Sequence, residues 1–372
     1  MQKRLAALSE KRRGGQKSIA CFPLYPPVEL FHSMGLVPAV LWGLDARNDE
    51  VAVADRHVQN YVCSVGRKLA GFLVSRGPEL FDAFFFYNAC DTLRNLPEIV
   101  TAGVTGRGKC MPAFRLHIPQ ASLSPEKSAA YLAQAIEDLV NKLSRELAVS
   151  FSPDSFARSI GLYGKARGLC GMLEEKCRQG LLPFSRFADA VMAGYGTDVE
   201  AHLVLLEDLL AEKSLRSVSE GAPGVFLTGV LPPPAAVSDA MEEAGLRVAG
   251  NDLAALYRSY AYTPALEAPN PAAFYGDLYE NHFPCTTLLQ TADRRLDALV
   301  SRIRETGSRA VVFVGEKFCE YEYFELPLLS EKLKGQGIPL LFLELALEDT
   351  VNFAAIRNRI FAFAEMIGSA GV

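Results

Sequence analysis

Residues 83–90 read AFFFYNAC, and residues 310–319 read AVVFVGEKFC. Each begins with an apolar run too short for a stable helix and rich in aromatic or β-branched side chains. Each is therefore read as a buried strand. Each strand then runs into a cysteine, Cys90 or Cys319. That echo suggests two similar lobes, each with such a strand inside a sheet.

The flanking residues fit this reading. Upstream of the first stretch, Pro23, Pro26 and Pro27 mark a loop, and VELFHSMGLV places Leu30, Phe31 and Met34 at helical spacing before Gly35. AVLWG after Pro38 is a short strand, and CSVGRKLAGFLVSRG is a helix starting near Cys63. Strand, helix, strand in that order indicates a parallel sheet covered by helices. Around the second stretch the expected order is a strand (Val225–Thr228), a helix, a strand ending at Gly250, and the helix LLQTADRRLDALVSRIRETG. After AVVFVG come the helix EYFELPLLSEKLKGQG, the strand PLLFLEL and a last helix, Thr350–Ile367. From Ser124 to about Leu215 the spacing is helical throughout, opening with Ser124 as N-cap, Pro125 at N1 and Glu126 in the first turn. The expected fold is α/β: two similar Rossmann/flavodoxin-like parallel-sheet lobes with a helical middle segment. The expected divisions are a charged leader (1–17), an N-terminal lobe (18–123), the helical segment (124–220) and a C-terminal lobe (221–372).

The 372 residues suffice for two or three domains, with 49% hydrophobic content to build their cores. A net charge of −5 gives no electrostatic footprint for nucleic acid. No run of 18 apolar residues suggests a membrane span. The basic start MQKRLAALSEKRRGGQKS lacks the apolar centre of a secretory signal, so a cytoplasmic location is expected. Eight cysteines in such a compartment disfavour disulfides, and none forms a CxxC pair. Any metal site must therefore be assembled from distant segments.

Gly103–Lys109 (GVTGRGK) mimics a phosphate-binding loop. Cys110 replaces the hydroxyl that would hold magnesium, and Pro112 interrupts the receiving helix, so it is read as a mobile glycine-rich loop. There is no GxSxG and no HExxH. His282 with Cys285 is a conceivable dyad, although closeness in sequence says little about such pairs.

The strand-end cysteines are more informative. Ligands of open α/β sheets collect beyond the carboxyl ends of the strands. Cys90 and Cys319 lie there, and a loop returning Cys63 to the same cleft would bring three thiolates together. Thiolate suits a soft metal or iron–sulfur site, and three ligands would leave one metal position open. The competing reading is that each cysteine is a small buried hydrophobe.

At these residues the sequence resembles the 2-hydroxyacyl-CoA dehydratase / benzoyl-CoA reductase family over roughly residues 18–368. CFPLYPPVELFHSMGLVPAVLWG is similar to the family's pattern of Cys, a Pro-Glu pair opening a helix, then Gly and Pro; here Val28 separates Pro27 from Glu29. CSVGRKLAGF and FFYNACDTLRNL resemble the paired-cysteine region, with Cys90-Asp91 and Arg94. GVFLTGVLPPPAAVSDAMEEAGLRVAGNDLAALYRSY resembles an Asp-Asp-Leu…Arg segment in which Asn251 replaces the first Asp. VVFVGEKFCEYEYFELPLLSEKLKGQGIPLLFLEL and IRNRIFAFAEMI resemble the C-terminal signature.

The resemblance implies a [4Fe–4S] cluster held by Cys63, Cys90 and Cys319, with Cys21 and Cys285 lining the cleft. Cys110, Cys170 and Cys177 are left to packing. A cysteine found in a double-cubane branch is missing from AGNDLAALY, which implies a single cluster. The implied chemistry is one-electron reduction of a CoA thioester through a ketyl radical, with electrons from an ATP-dependent activator iron–sulfur protein. The implied assembly is a heterodimer with a paralogous second subunit, or self-association. The alternative is a non-catalytic electron-relay or structural partner subunit of such a complex; a further reading is an α/β protein that has lost its cluster. Catalytic residues beyond the cluster ligands stay unassigned. Arg258, His32 and Glu29 are candidate cleft residues, with ordinary surface or cap roles as the favoured reading. The aromatic stretches Tyr257–Tyr262 and Phe274–Phe283 look like interface or cleft lining, or an ordered surface loop.

Overall fold

Two four-stranded, all-parallel sheets carry the architecture of the computed structural model, which describes residues 14–44, 48–119, 125–213, 218, 221–265, 269–288, 292–347 and 353–369. The first contains β1 (Ser18–Cys21), β2 (Val37–Val40), β3 (Ala83–Tyr87) and β4 (Ala113–Leu116), in the order β2-β1-β3-β4. The second contains β5 (Gly224–Gly229), β6 (Arg247–Asn251), β7 (Ala310–Glu316) and β8 (Leu340–Leu345), in the order β6-β5-β7-β8. The two orders are the same. In each sheet the second strand lies on one side of the first and the third on the other, so each has a switch point where a crevice opens.

The central strands form where apolar runs are longest. Every residue of β3 and β7 is buried, as a strand covered by helices on both faces requires. A continuous core runs through both sheets and the middle helices. A smaller one packs Phe226, Val311 and Phe313 against Leu299, Ile303 and Leu329. The middle of the chain is helical, in the segments Pro125–Leu147, Pro153–Arg178, Phe184–Ala193 and Val199–Ala211. Ser152 caps the second of these by accepting from the Ser155 amide at 3.5 Å, with Pro153 in the first turn. Among the described residues, no helix is long and apolar enough to cross a membrane. The proposed cap Ser124, leader residues 1–13 and Thr350 lie outside the described residues.

Several expectations shift. The strand read as AVLWG is Val37–Val40, and Pro38 lies inside it. β2 is an edge strand, where a missing amide costs no ladder bond. Gly103–Gly106 is the last turn of a helix, Asp91–Gly106, and only the residues after it form a turn. An anion would meet carbonyls at that helix end, so the phosphate-loop likeness fails for a second reason.

The aromatic stretch near Phe274 is neither a free interface nor a surface loop. Pro271–Asn281 is a helix with Phe274, Tyr275, Leu278 and Tyr279 buried. It belongs by sequence to the second half but docks on the first. The Tyr275 hydroxyl donates to Glu29 at 2.9 Å and accepts from the Leu30 amide at 3.0 Å; Tyr279 donates to the Tyr25 carbonyl at 2.9 Å.

Candidate functional site

The three cysteines at the crevice are placed by the same local device. Cys63 is the N-cap residue of the Ser64–Leu80 helix, Cys90 that of Asp91–Gly106, and Cys319 that of Glu320–Lys334. β3 delivers Cys90 through a loop pinned by Asn88, whose side chain donates to the Ile118 carbonyl at 3.0 Å and accepts from its amide at 2.8 Å. β7 delivers Cys319 through Phe318, which takes a left-handed φ of 64°. That conformation costs a phenylalanine roughly 1–2 kcal/mol, and it turns the chain so that Cys319 opens the next helix. Cys63 reaches the same place because its helix starts against that of Cys90. A Cβ on Gly66 would lie 2.6 Å from the Thr92 methyl, so glycine permits the approach.

The thiols sense one another. Burial pushes Cys63 up to about 12; the Gly66 amide opposes this, and Cys90, Glu316 and Glu322 add to it. Burial likewise raises Cys90 against the Leu93 and Thr92 amides. Cys319 is raised first by burial, then by Glu322 and Cys63, with a smaller push from Cys90. Each thiol is therefore offered a backbone N–H at a positive helix end, which favours an anion, yet burial keeps it protonated, helped by neighbouring thiols at Cys63 and Cys319 and by Asp91 and Glu320 at Cys90. A positively charged metal body would reverse that balance. Among the described residues, no group of three His, Cys, Asp or Glu side chains closes tightly enough to hold a single metal ion. The all-sulfur donor set fits a multi-iron cluster, which needs its ligands further apart than one ion does.

A polar clasp ties the lobes together beside these thiols. Ser64 donates to Glu316 and accepts from the Leu347 amide at 3.0 Å, while Lys68 donates to the Leu347 carbonyl at 3.2 Å. Glu322 accepts from the Glu316 amide at 2.9 Å. Burial raises Glu322 to about 8, leaving it a neutral acid in mildly acidic to neutral solution. Sequence reasoning misses this clasp, because its members are ordinary polar residues 252 and 283 positions apart.

Deeper in the cleft lies a buried ionic group. Arg258 donates to the Cys285 sulfur at 3.3 Å and to Asp252 at 3.2 Å, and Arg295 pairs with Asp252 at 2.5 Å and Glu325 at 3.2 Å. For Cys285, burial raises the pKa, but the Arg258 charge and hydrogen bonds with Thr287 and Tyr25 outweigh it and bring the thiol below its usual value. Arg258 is thus a core residue, not the surface or cap residue expected. The same correction applies to Glu29, which is buried in an ion pair with Arg167. His32 is half-buried, hydrogen-bonded to Ser159 at 2.8 Å and 3.6 Å from Glu200.

The remaining cysteines divide. Cys21 is enclosed at the end of β1, with its sulfur 3.7 Å from the Ile19 carbonyl. Cys170 and Cys177 are buried as packing predicts, whereas Cys110 is exposed and packs nothing away from water. The conceivable His282–Cys285 dyad does not form: His282 Nδ1 bonds the Phe283 carbonyl at 2.7 Å, and the charged partner of Cys285 is Arg258.

Two parallel α/β lobes of one topology, with three helix-capping thiols near enough to act on one another, define the class as a two-lobed α/β protein. The family model for the 2-hydroxyglutaryl-CoA dehydratase D-component matches residues 23–367, and the chain belongs to that family of enzyme subunits. It is 23% identical to the (R)-phenyllactyl-CoA dehydratase beta subunit of Clostridium sporogenes, over 95% of this chain and 92% of the relative. The lactoyl-CoA dehydratase subunit beta of Anaerotignum propionicum is 22% identical, over 96% and 93%. A benzoyl-CoA reductase subunit of Thauera aromatica is 23% identical, over 95% and 91%.

Proposed function

We propose that this chain is the [4Fe–4S]-carrying subunit of an ATP-activator-dependent enzyme acting on a CoA thioester, either a 2-hydroxyacyl-CoA dehydratase or a reductase of the benzoyl-CoA type. The observation that carries the proposal is the convergence of Cys63, Cys90 and Cys319 from two lobes, each capping a helix beside the others. A bound cluster would supply one-electron reduction and an iron position open to substrate. The chain's own residues hold and shield it. The helix-end amides of Gly66, Leu93 and Glu322 face the sulfurs and favour their anionic form. The Ser64–Glu316–Leu347 clasp holds the lobes at a set separation and keeps water out. Glu322 keeps a proton beside the thiols at neutral pH.

The relatives named beta subunits support a paralogous partner subunit, and the lack of a phosphate-binding loop supports a separate activator that hydrolyses ATP. Anaerobic purification should give a brown protein with about four irons per chain; a colourless, iron-free chain after anaerobic reconstitution would overturn the proposal. In a second reading the chain relays electrons to a partner subunit without touching substrate. A thioester that perturbs the cluster's EPR signal supports the catalytic reading, and an unchanged signal from an intact cluster supports the relay.

A further inference from the structure

Two helices hold equivalent places in the two lobes, each following a third strand and capped by a cysteine, and they show water different faces. Asp91–Gly106 presents Asp91, Arg94, Asn95 and Glu98, with ion pairs Arg94–Asp91 at 2.6 Å and Arg115–Glu98 at 2.7 Å. Glu320–Lys334 presents Phe324, Pro327 and Leu328 at the matching level. Phe324 is 76% exposed and Leu328, one turn further on, is 49% exposed; Phe318 lies exposed just ahead of the helix. Single exposed apolar side chains are ordinary. A stripe of them, on a helix whose counterpart is polar, marks a contact surface.

The charges along the helix select what covers it. Its first turn carries the exposed Glu320, and its last turn carries Lys332 and Lys334, so its surface runs from acid to base with the apolar stripe between. A second copy of the helix, laid antiparallel about the midpoint between Phe324 and Leu328, puts Phe324 of each copy on Leu328 of the other. The same operation sets Glu320 against Lys332 and brings Phe318 to Lys334, at both ends. The register that covers the apolar stripe is therefore the one that pairs the charges, as a self-complementary two-fold contact requires. A parallel arrangement would set Glu320 on Glu320 and Lys332 on Lys332, which like-charge repulsion opposes.

We propose that the exposed face of Glu320–Lys334 is a two-fold interface with a second copy of this chain. The helix starts at the Cys319 cap, so the second copy lies beside the C-terminal edge of the crevice and screens Phe318 from water. The polar face of Asp91–Gly106 takes no part in the contact.

Sedimentation of the full-length chain over a range of concentrations tests this. A reversible dimer should form, and Phe324→Ser should weaken it at least about tenfold, because each dimer carries the change twice. Leu328→Ser is the second variant, with unchanged thermal melting as the check that both stay folded. Met172→Ser, at an exposed side chain on the middle helices, should leave the dimer intact. Glu320→Lys and Lys332→Glu should each weaken it, and the two combined in one chain should restore it with the signs exchanged. A chain that stays monomeric throughout, a dimer that survives Phe324→Ser, or a double variant no better than either single one would overturn the proposal. A chain that never pairs with itself, but loses a different subunit on Phe324→Ser, would give the face to that subunit and also overturn it. Iron counted on the same samples keeps the two ideas apart, since an iron-free dimer supports the contact and counts against the cluster reading alone.

Discussion

In both lobes the chain leaves the third strand through a short loop and enters a helix capped by a cysteine, Cys90 after β3 and Cys319 after β7. The lobes part company in the connection between their second and third strands. The N-terminal lobe places Cys63 there as a helix cap, and burial raises its thiol to about 12. The C-terminal lobe places Cys285 there, 1% exposed and facing Arg258, and its thiol falls below the usual value. Burial acts on both sulfurs in the same direction. The difference is the Arg258 guanidinium, joined by hydrogen bonds with Thr287 and Tyr25, which gives Cys285 a counter-charge that Cys63 lacks. Topology delivers a cysteine to the strand ends, and the local field decides what that cysteine is for.

The sharpest way to break this contrast is to remove the sulfurs one at a time. Cys63→Ala, Cys90→Ala and Cys319→Ala should each lower the iron content from about four to below about one per chain. Turnover with an activator should fall by more than the roughly 10–100-fold that outer partners of a metal site cost. Cys285→Ala should keep its iron, and a Cys285 variant that loses iron as completely as the other three would erase the distinction between the lobes. Next in size is Arg258→Ala. It leaves Cys285 without its charged partner, leaves Asp252 with Arg295 alone and empties the space of a buried side chain, and urea unfolding should show a loss of about 3–5 kcal/mol. A loss below about 1 kcal/mol would mean that water already reaches this group.

A pH titration sharpens the contrast further. Burial lowers the pKa of His282 from 6.5 to about 4, so between those values the unfolded chain binds a proton that the folded chain refuses. Its contribution is intact above about pH 6.5 and is lost as pH falls towards 4, by roughly 3 kcal/mol in all. His282→Gln should remove this slope from the stability profile, and a variant with the same acid limb as the parent would show that another group sets it. The smallest effect is expected from Ser64→Ala. It takes the hydroxyl from Glu316 and leaves the Leu347 amide without its side-chain acceptor, at about 1–3 kcal/mol, read as a lowered melting temperature.

The central strands are legible because a strand covered on both faces is written as an unbroken apolar run, as AFFFY and AVVFV are. β1 is not, because its four residues, SIAC, follow a basic segment and carry no periodicity. Gly103, Gly106 and Gly108 obscure the end of the Asp91–Gly106 helix, since their turn signal outweighs the apolar spacing of Leu93, Leu96 and Val100. Phe274 and Tyr275 look like an interface because aromatic residues are enriched both in cores and at contacts, and composition does not separate the two. Arg258 reads as a surface residue because arginine is seldom buried without a partner. Its partners, Asp252 and Cys285, come together only in the folded chain.

The docking of Pro271–Asn281 onto the first lobe also bears on the order in which the protein can be made. Glu29, enclosed in the finished fold, is held by Arg167, 138 residues later, and by Tyr275, 246 residues later. A ribosome adding about 5–20 residues per second needs on the order of 10–50 seconds to travel from Glu29 to Tyr275. Until Arg167 and Tyr275 are both in place, burying the Glu29 carboxylate in the nascent first lobe would leave it short of partners. The helix at Val28–Ser33 must therefore stay open to water until the later helix arrives. The second half of the chain thus locks the first, and a chain halted near residue 220 is expected to emerge as a holdase client and not as a finished half.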